Sequence, residues 1–532
     1  MKRLLGEAGF FAYLNALDEP YTRALRINLL LRPDGTPPDS RKTSDAKNGA
    51  GKKPAQTGHA AHAEIRNAPA PGHFTTRIAE RNGTILLSLQ NSRSACPNRI
   101  CTALMKRGSF ASRFGTIAAV GGSVIGLGNI WRFPYVAGEN GGAAFILIYL
   151  TISFLISIPI MLSEFSLGRS TKRNSMRAFS KLAPGTKWKW VGYMGILCAF
   201  IILSFYCVIA GWSLEFLKES VLNRFHDRTP EQVAAAFDGF VASGWRPIAW
   251  TLVFIAASAF IVYSGIEKGI ERYNKILMPM LFLLLFGMAL NALTLDGARQ
   301  GIDFLLKPDF SKITGTTVLE ALGQSFFSMS LGMGCMITYG SYLRKNENMF
   351  RIGAMVSLSD ITVAVLSGLA IFPAVFSFGI SPTSGPELVF LTLPNVFARM
   401  SGGYVISVVF FVLLFLAAIT SSVSLLEVII AYLSEEMRIT RSKAIVCTAC
   451  TVAATGSLSA LSMMPGSVLT IGGKNLFDLC DSLSSNLMMP LGGLFIVLFA
   501  GWVLSPRKLR DEMTSGLKYG TRVFPVVRFL IR

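Results

Sequence analysis

The feature that most constrains this chain is a series of long apolar runs that begins at Phe114 and continues almost to the C-terminus. About 20 apolar residues in a helix, each adding about 1.5 Å, cross a hydrocarbon layer about 30 Å thick. Ten runs have this length: 114–135, 143–168, 189–217, 246–265, 270–293, 318–342, 352–378, 402–433, 442–461 and 476–504. Charged residues make up only 15% of the 532 residues, whereas soluble domains contain roughly 25%. The sequence therefore predicts an all-α polytopic membrane protein.

The composition changes at about residue 105. Residues 1–105 are polar and basic, with little apolar periodicity, which predicts a disordered N-terminal extension. Alternatively, Met105 is the true start and the upstream segment is an over-extended reading of the gene. Residues 106–505 form the predicted ten-helix core, and 506–532 form a cytoplasmic tail that ends in the start of a truncated eleventh span.

The net charge of +20 raises the possibility of a nucleic-acid partner, but the distribution of the charge argues against it. Outside the extension, the loops after the even-numbered runs are basic, whereas the intervening loops are mixed in charge or nearly uncharged. The basic loops include Arg169, Lys172, Arg173, Arg177, Lys181, Lys268, Arg344, Lys345, Arg438, Arg441, Arg507 and Lys508. Basic loops on alternate sides indicate orientation in a lipid bilayer, with these loops in the cytoplasm. We therefore predict a cytoplasmic N-terminus and no nucleic-acid partner.

The chain carries little that suggests catalysis. Its four histidines, His59, His62, His73 and His226, all lie outside the apolar runs. An intramembrane zinc site or histidine general base is therefore disfavoured. We predict that the protein is not an enzyme.

Small and polar residues cluster in the middle of the first and sixth runs: Gly121, Gly122, Gly126, Gly128, Asn129 and Arg132 in the first, and Ser328, Ser330, Gly332 and Gly334 in the sixth. Glycine has a weak helix propensity, and an Asn or Arg at membrane depth needs a cavity or a partner. Close packing of two ordinary helices would also use glycines, so that alternative stays open. Unwound helices at positions one and six of ten predict two five-helix halves, 114–293 and 318–504, related as an inverted repeat around a midplane transport site.

Four segments carry a specific resemblance: VGGSVIGLGNIWRFPYVAGENGGAAF, SGIEKGIERYNKILMP, LGQSFFSMSLGMGCMITYGSY and FLAAITSSVSLLE. They closely resemble the neurotransmitter:sodium symporter family, and in particular its bacterial amino-acid transporters. The resemblance covers about Arg107 to the C-terminus. It implies sodium-coupled import by alternating access, in the inner membrane of a bacterium. A binding-only or inactive truncated paralogue is the alternative, and a homodimer is left open.

The resemblance implies two sodium sites. The first would be formed by the carbonyl of Val124 and the side chains of Asn129, Ser328 and Asp360. The second would be formed by the carbonyls of Gly122, Ile125 and Ala417 and the hydroxyls of Thr420 and Ser421. Oxygen ligands without sulfur or imidazole suit Na⁺. Hydroxyls on a membrane helix often bond only the preceding carbonyls, which is the alternative for the Thr-Ser pair.

The resemblance also implies a site for an amino acid. The substrate carboxylate would contact the N–H groups of Leu127 and Gly128 and the hydroxyl of Tyr206. The ammonium would contact the carbonyls of Val124, Phe327 and Ser328, and also Ser330. The substrate side chain would contact Ile202, Phe327, Met333 and Leu425.

Two features of this implied site narrow the substrate. Gly126 stands where amine-transporting members of the family carry an Asp, so a substrate with its own carboxylate is expected. The side-chain pocket is apolar, and a charged side chain would lack a partner there. We therefore expect a neutral, hydrophobic or aromatic amino acid. Tyr206 as an ordinary packing residue is the alternative interpretation of that position.

The resemblance assigns gates as well. Arg132 and Asp481 would form the extracellular pair, and Arg107 and Glu435 the cytoplasmic pair. Exposed ion pairs contribute little, but an Arg within a span is costly unless it is paired. Glu164 is expected to bond the unwound backbone of the sixth run.

Chloride-dependent members have a neutral residue at the seventh-run sodium position and a serine one turn later. Here these positions are Asp360 and Ala364. A carboxylate at 360 supplies the negative charge that balances sodium, so no chloride requirement is expected.

Overall fold

The computed structural model describes residues 27–30, 63–64, 75–81, 84–90, 113–226, 228–264, 272–514 and 520–531. The chain forms two compact units, Met1–Arg107 and Gly108–Arg532. The described part of the first unit is an antiparallel sheet with strand order β1-β4-β3-β2, formed by β1 (Ile27–Leu30), β2 (Ala63–Glu64), β3 (Thr75–Arg81) and β4 (Thr84–Gln90). The remainder of the extension predicted over 1–105 lies outside the described residues, so its disorder stays a prediction.

In its described residues the second unit is helical apart from a hairpin of two-residue strands, β5 (Thr470–Ile471) and β6 (Lys474–Asn475). Its α-helices are α1 (Arg113–Val124), α2 (Phe133–Glu139), α3 (Ala143–Ile152), α4 (Ile158–Thr171), α5 (Ser175–Leu182), α6 (Lys189–Val221), α7 (Pro230–Ala242), α8 (Trp245–Ser264), α9 (Arg272–Ala292), α10 (Ala298–Leu306), α11 (Gly315–Ser328), α12 (Cys335–Tyr342), α13 (Met349–Ser377), α14 (Leu388–Arg399), α15 (Gly403–Glu436), α16 (Arg441–Ser462), α17 (Leu476–Ser482), α18 (Met489–Leu498), α19 (Pro506–Thr514) and α20 (Gly520–Ile531). π-Helical turns at Gly128–Arg132, Ser153–Ser157, Leu483–Met488 and Phe499–Val503 extend or join some of these helices.

Several of these rods have membrane length. Within the described ranges, seven helices are long and apolar enough to cross a bilayer: Ala143–Thr171, Lys189–Val221, Trp245–Ser264, Met349–Ser377, Gly403–Glu436, Arg441–Ser462 and Leu476–Val503. The apolar part of α9, Met278–Ala292, is shorter. The runs 114–135 and 318–342 do not form continuous helices, because each is interrupted near its middle. The total of ten spans stays a prediction.

The first interruption lies between α1 and α2. The backbone bends at Ile125 and Gly126, and helical bonding resumes in the π-turn that begins at Gly128. The N–H of Asn129 donates to the carbonyl of Gly126 at 3.2 Å. A Cβ atom at position 126 would overlap Ser421 Oγ on α15. Glycine at this position therefore lets the broken helix approach α15 closely.

The second interruption separates α11 from α12. Ser330, Gly332 and Gly334 have φ values of +53°, +75° and +79°, in the left-handed region that glycine tolerates best. The freed backbone needs partners, because water is scarce at membrane depth. Glu164 on α4 supplies them: Oε1 accepts from the N–H of Gly332 at 2.7 Å, and Oε2 from the N–H of Ile337 at 3.3 Å. The expected contact of Glu164 with the unwound sixth run is confirmed.

Both interruptions are enclosed by long helices. The helix α1 packs against α9, α13 and α15, while α6 packs along α15 over much of its length. Buried apolar side chains such as Ile202 and Leu425 fill the space between these helices. The broken segments therefore sit inside the protein, where their polar backbone groups meet other protein groups rather than lipid.

Candidate functional site

A small cavity lies between the two interruptions. It is lined by Ser123, Val124, Gly128, Ile202, Tyr206, Phe327, Ser328, Ser330, Met333, Ser421 and Leu425. Nine of the eleven residues expected to bind substrate are among them, and the other two, Gly126 and Leu127, are not. The cavity volume is about 20 Å³, which is room for about one water molecule. Its walls must separate to admit an amino acid.

The cavity wall is mostly apolar. The ring of Phe327 stacks on Phe205 with centroids 6.3 Å apart. Ile202, Met333 and Leu425 are buried beside it. These groups offer a non-polar surface for a ligand side chain.

Polar groups at the backbone breaks complete the wall. The hydroxyl of Tyr206 donates to the carbonyl of Ala418 at 3.2 Å. The carbonyl of Phe327 accepts from the N–H of Ser330 at 3.2 Å. The cavity thus has an apolar part and a part where backbone polar groups come close.

A buried carboxylate adjoins the cavity. Asp360, on α13, accepts at Oδ1 from Asn129 Nδ2 at 2.6 Å and from the hydroxyl of Ser328. Its Oδ2 accepts from Tyr149 Oη at 3.0 Å. The structure thus brings together Asn129, Ser328 and Asp360, three residues expected at the first sodium site. We call these three residues and Tyr149 the Asp360 cluster.

The Asn129 amide has a defined orientation in this cluster. Its nitrogen also donates to the carbonyl of Asp360 and contacts Ser328 Oγ, both at 3.0 Å. Its oxygen accepts from the N–H of Gly126 at 3.3 Å. Donors therefore surround the carboxylate, which is what a buried negative charge requires.

Tyr149 was not predicted as a site residue. A buried tyrosine hydroxyl needs a hydrogen-bond partner, so a tyrosine within an apolar run indicates that some polar group lies nearby. Its partner Asp360 lies 211 residues further along the chain. The sequence alone does not show which acceptor it reaches.

A second polar cluster joins α1 to α15. Thr420 Oγ1 lies 2.8 Å from the carbonyl oxygens of Gly122 and Ala417. Ser421 faces the backbone of Gly126. We call Gly122, Ala417, Thr420 and Ser421 the Thr420 cluster. The contact with Ala417 is the local hydroxyl-to-carbonyl bond that was the alternative for this pair, but the contact with Gly122 spans two helices.

Arg132 and Asp481 form the ion pair expected from the sequence. Arg132 Nε lies 3.2 Å from Asp481 Oδ1, and Nη2 lies 3.2 Å from Oδ2. Tyr135 Oη also donates to Oδ2 at 2.9 Å. The guanidinium carbon lies 5.1 Å from the ring centroid of Phe327, a cavity residue. The pair therefore lies next to one residue of the cavity wall.

Gln324 connects this ion pair to the first interruption, and it was not predicted. Its Oε1 accepts from Arg132 Nη1 at 2.8 Å, while its Nε2 donates to the carbonyl of Gly128 at 2.9 Å. A buried side-chain amide in an apolar run indicates that a polar partner lies nearby. The sequence does not indicate that Gln324 has two partners, Arg132 and the carbonyl of Gly128.

The other expected pair is only half described, since Arg107 lies outside the described residues. Glu435 Oε2 accepts from the backbone N–H of Asn174 at 3.2 Å and from its side-chain nitrogen at 2.9 Å. Nearby on α15, Glu427 forms an unpredicted ion pair with Arg441, 2.6 Å between Oε2 and Nη2.

A larger cavity of about 320 Å³ lies elsewhere, between the end of α6, α7 and the start of α8. Its charged groups are paired with one another. Glu219 lies 3.0 Å from Arg224 and 3.4 Å from Arg228, and Glu215 is paired with Arg246. None of the predicted site residues line it.

The profile of the sodium:neurotransmitter symporter family matches residues 107–234 and 224–531. The chain belongs to this family. It is 40% identical over 423 residues to the uncharacterized sodium-dependent transporter YhdH of Bacillus subtilis, covering 80% of this chain and 94% of that protein. It is 39% identical over 440 residues to an uncharacterized sodium-dependent transporter of Haemophilus influenzae, covering 80% and 96% of the two chains.

A solved structure agrees with this membership. The crystal structure of MhsT in complex with L-phenylalanine matches with a TM-score of 0.77 and 43% identity, over 80% of this chain and 97% of that chain. The resemblance stated from the sequence is therefore confirmed. The protein is a multi-pass membrane transporter and not an enzyme, and its relatives support sodium as the coupling ion.

Proposed function

We propose that this symporter imports a neutral, hydrophobic or aromatic amino acid together with Na⁺. The observation that carries the proposal is the apolar cavity between two broken helices, with the carboxylate of Asp360 beside it. The fold would be a ten-span inverted repeat in a bacterial inner membrane, with the N-terminus in the cytoplasm. Broken helices at matching positions of two repeats are typical of midplane transport sites.

The substrate would lie across the two interruptions. Its carboxylate would contact the N–H groups of Leu127 and Gly128, and its side chain would enter the apolar part of the cavity. The L-phenylalanine bound in the MhsT crystal supports a substrate of this class. The tight approach of Gly126 to Ser421 supports a substrate with its own carboxylate, because an Asp side chain at 126 would need the space that the Ser421 hydroxyl occupies.

The Asp360 cluster would hold the first sodium. Its carboxylate, hydroxyl and amide oxygens, with the carbonyl of Val124, are hard ligands that suit Na⁺. As described, the Asn129 nitrogen faces Asp360, so the amide would have to turn over for its oxygen to coordinate the ion. N–H donors and a cation are alternative ways to stabilise the same buried carboxylate.

The Thr420 cluster would hold the second sodium, with Ile125 supplying a further carbonyl. All of its ligands are neutral, so the ion would be bound by dipoles alone. The contact between Thr420 and Gly122 supports this assignment, since it brings a hydroxyl and a carbonyl from two helices to one point.

Transport would occur because the extracellular gate and the cytoplasmic gate open in turn and are never open together. The pair of Arg132 and Asp481 would close the extracellular side, and Arg107 with Glu435 the cytoplasmic side. Each Na⁺ that moves inward gains roughly 2.3 kcal/mol per 100 mV of membrane potential. A substrate carboxylate that also contacts the first sodium would couple the two ligands reciprocally.

The test is uptake of radiolabelled L-phenylalanine by proteoliposomes that contain the full chain. We expect accumulation under an inward Na⁺ gradient, and its loss when K⁺ replaces Na⁺ or an ionophore collapses the gradient. Accumulation that does not depend on Na⁺ would contradict the proposal. Sodium-dependent binding in detergent without any uptake would instead favour the binding-only paralogue.

A further inference from the structure

The larger cavity, between the end of α6, α7 and the start of α8, has the size of a small-molecule site. Its volume of about 320 Å³ lies at the low end of the range of roughly 300–1,000 Å³ that is typical of ligand sites. A space of this size suits a compact body such as one ring better than a lipid chain. We call it the α7 cavity.

One wall of the α7 cavity is apolar. The helix α7 contributes the buried side chains of Val233, Phe237 and Phe240, which follow one another at helical spacing. Phe216 on α6 packs against them, with its ring centroid 6.2 Å from that of Phe237. Gly239 also lines the cavity, and a Cβ atom added there would meet no described atom within 4 Å. The wall thus offers aromatic surface with open space beside it.

The polar side of the cavity has more cations than carboxylates. In the described part of the chain, four cations share two carboxylates there: Lys218, Arg224, Arg228 and Arg246, with Glu215 and Glu219. A cavity with an excess of one charge attracts ligands of the opposite charge. The α7 cavity therefore favours an anion.

Arg224 and Arg228 have the most capacity left for a ligand. Arg224 Nη1 lies 3.0 Å from Glu219, and Arg228 Nη2 lies 3.4 Å from it. An arginine has five N–H donors in a planar fork that matches a carboxylate. The two side chains are 52% and 27% exposed, so a ligand can reach them. Arg246 is more committed, because it pairs with Glu215 and lies 5.4 Å from the ring centroid of Phe240.

We propose that the α7 cavity binds a small organic anion, namely a carboxylate attached to one aromatic or branched aliphatic group. The carboxylate contacts Arg228 and Arg224, and the apolar group lies against Phe237 and Phe240. A neutral molecule of the same shape forfeits the charge-assisted hydrogen bonds, and a cation meets the surplus positive charge. The site is separate from the proposed transport site, and it does not depend on what the transporter carries.

The test uses three compounds that share one ring and differ in charge: benzoate, benzyl alcohol and benzylammonium. Their binding to the purified full chain is measured by saturation-transfer NMR at constant NaCl. Saturating L-phenylalanine with a deuterated ring is present to occupy the proposed transport site. We expect benzoate to bind saturably, with a dissociation constant of the order of 1 mM, and benzyl alcohol to bind at least about 5-fold more weakly. Benzylammonium should show no saturable binding.

Variants locate the binding. Arg228→Gln should weaken benzoate binding about 5- to 10-fold, and Arg228→Lys about 2- to 3-fold, because lysine keeps the charge but lacks the planar fork. Gly239→Leu places a side chain where the ring would lie, so it should weaken benzoate binding at least about 10-fold. Arg299→Gln is the matched control, because Arg299 is an exposed arginine on α10 outside the cavity. Its benzoate affinity should equal that of the wild type.

Melting temperatures check that the variants fold. An ion pair that is partly exposed contributes little to stability, and a leucine favours the helix more than a glycine does. Both Arg228→Gln and Gly239→Leu should therefore melt close to the wild type. If one of them does not fold, the other decides.

The outcomes separate this proposal from the proposed function. The proposal is overturned if benzoate does not bind saturably, or if its affinity stays within about 2-fold of the wild type in both Arg228→Gln and Gly239→Leu. Benzoate binding that both variants retain and that L-phenylalanine displaces would assign benzoate to the transport site, and this too overturns the proposal. Benzoate binding that both variants weaken, in a protein that does not take up phenylalanine, would contradict the proposed function alone.

Discussion

The two polar clusters beside the cavity use different chemistry. The Asp360 cluster contains a buried carboxylate that accepts from an amide, a hydroxyl and a phenol. The Thr420 cluster contains only hydroxyls and backbone carbonyls, and it joins the broken helix α1 to α15. A buried charge must be compensated in every state of the protein, whereas neutral dipoles need only be placed correctly. The first cluster should therefore depend on charge and the second on backbone geometry.

The charge of Asp360 should produce the largest effect. Asp360→Asn keeps the shape of the side chain but removes the charge that would balance sodium. Loss of one member of a buried charge pair costs about 3–5 kcal/mol, so we expect the apparent affinity for Na⁺ to fall at least about 100-fold. Sodium titration of phenylalanine uptake measures this effect.

The control for Asp360→Asn is Asp303→Asn. Asp303 is exposed and pairs with Lys307 at 2.8 Å on the surface, where an ion pair contributes little. Its sodium titration should match that of the wild type. A sodium affinity of Asp360→Asn within about 3-fold of the wild type would show that charge does not define the first cluster.

The geometry of the first interruption should produce the next largest effect. In Gly126→Ala the added Cβ overlaps Ser421 Oγ, so the Ser421 hydroxyl must turn away from the Thr420 cluster. Overpacking of this kind costs about 1–3 kcal/mol, so sodium-dependent thermal stabilisation should need roughly 10-fold more Na⁺. Differential scanning fluorimetry across a sodium series measures the shift.

The matched control is Gly239→Ala on α7, where no described atom lies within 4 Å of the added Cβ. Its sodium series should resemble that of the wild type. Combining Gly126→Ala with Ser421→Ala removes the overlapping oxygen, so the melting temperature should recover while the sodium response stays weak. Full recovery of both would mean that Ser421 is not a ligand.

The hydroxyl of Thr420 should have a smaller effect. Thr420→Val has nearly the same shape but cannot contact Gly122 or an ion through oxygen. We expect the apparent sodium affinity to fall about 5- to 10-fold, and Thr420→Ser to retain most of it. Sodium titration of uptake measures both variants.

Thr448→Val controls for the local effect of the same substitution. Thr448 Oγ1 also donates to a carbonyl one turn earlier, that of Ala444, at 2.8 Å, but on α16. If Thr448→Val and Thr420→Val lower the sodium affinity equally, the loss comes from the missing hydroxyl-to-carbonyl bond within a helix and not from the Thr420 cluster.

The two interruptions illustrate what the sequence could predict. Glycines with weak helix propensity, next to polar residues at membrane depth, indicated where the backbone of runs 114–135 and 318–342 leaves the helix. The contact of Glu164 with the sixth run was an expectation from the resemblance to the family. Local composition was sufficient for the interruptions themselves.

The contacts that complete the site depend on distant parts of the chain. Tyr149 reaches Asp360 across 211 residues, and Gln324 reaches Gly128 across 196 residues. A pattern within one run does not contain this information, because any of several helices could supply the partner.

Replacement of chloride should have the smallest effect on uptake, and it tests directly whether the Asp360 cluster balances the charge of sodium. Asp360 carries a fixed negative charge beside the proposed sodium ligands Asn129 and Ser328. A mobile anion is then unnecessary, since the carboxylate already balances the cation. We expect uptake with gluconate in place of chloride to stay within about 20% of the chloride value, a change of less than roughly 0.2 kcal/mol in coupling. A steep, saturable dependence of uptake on chloride would contradict this expectation. It would show that Asp360, which accepts hydrogen bonds from Tyr149 and other donors, does not balance the sodium charge, and that a chloride ion from solution does.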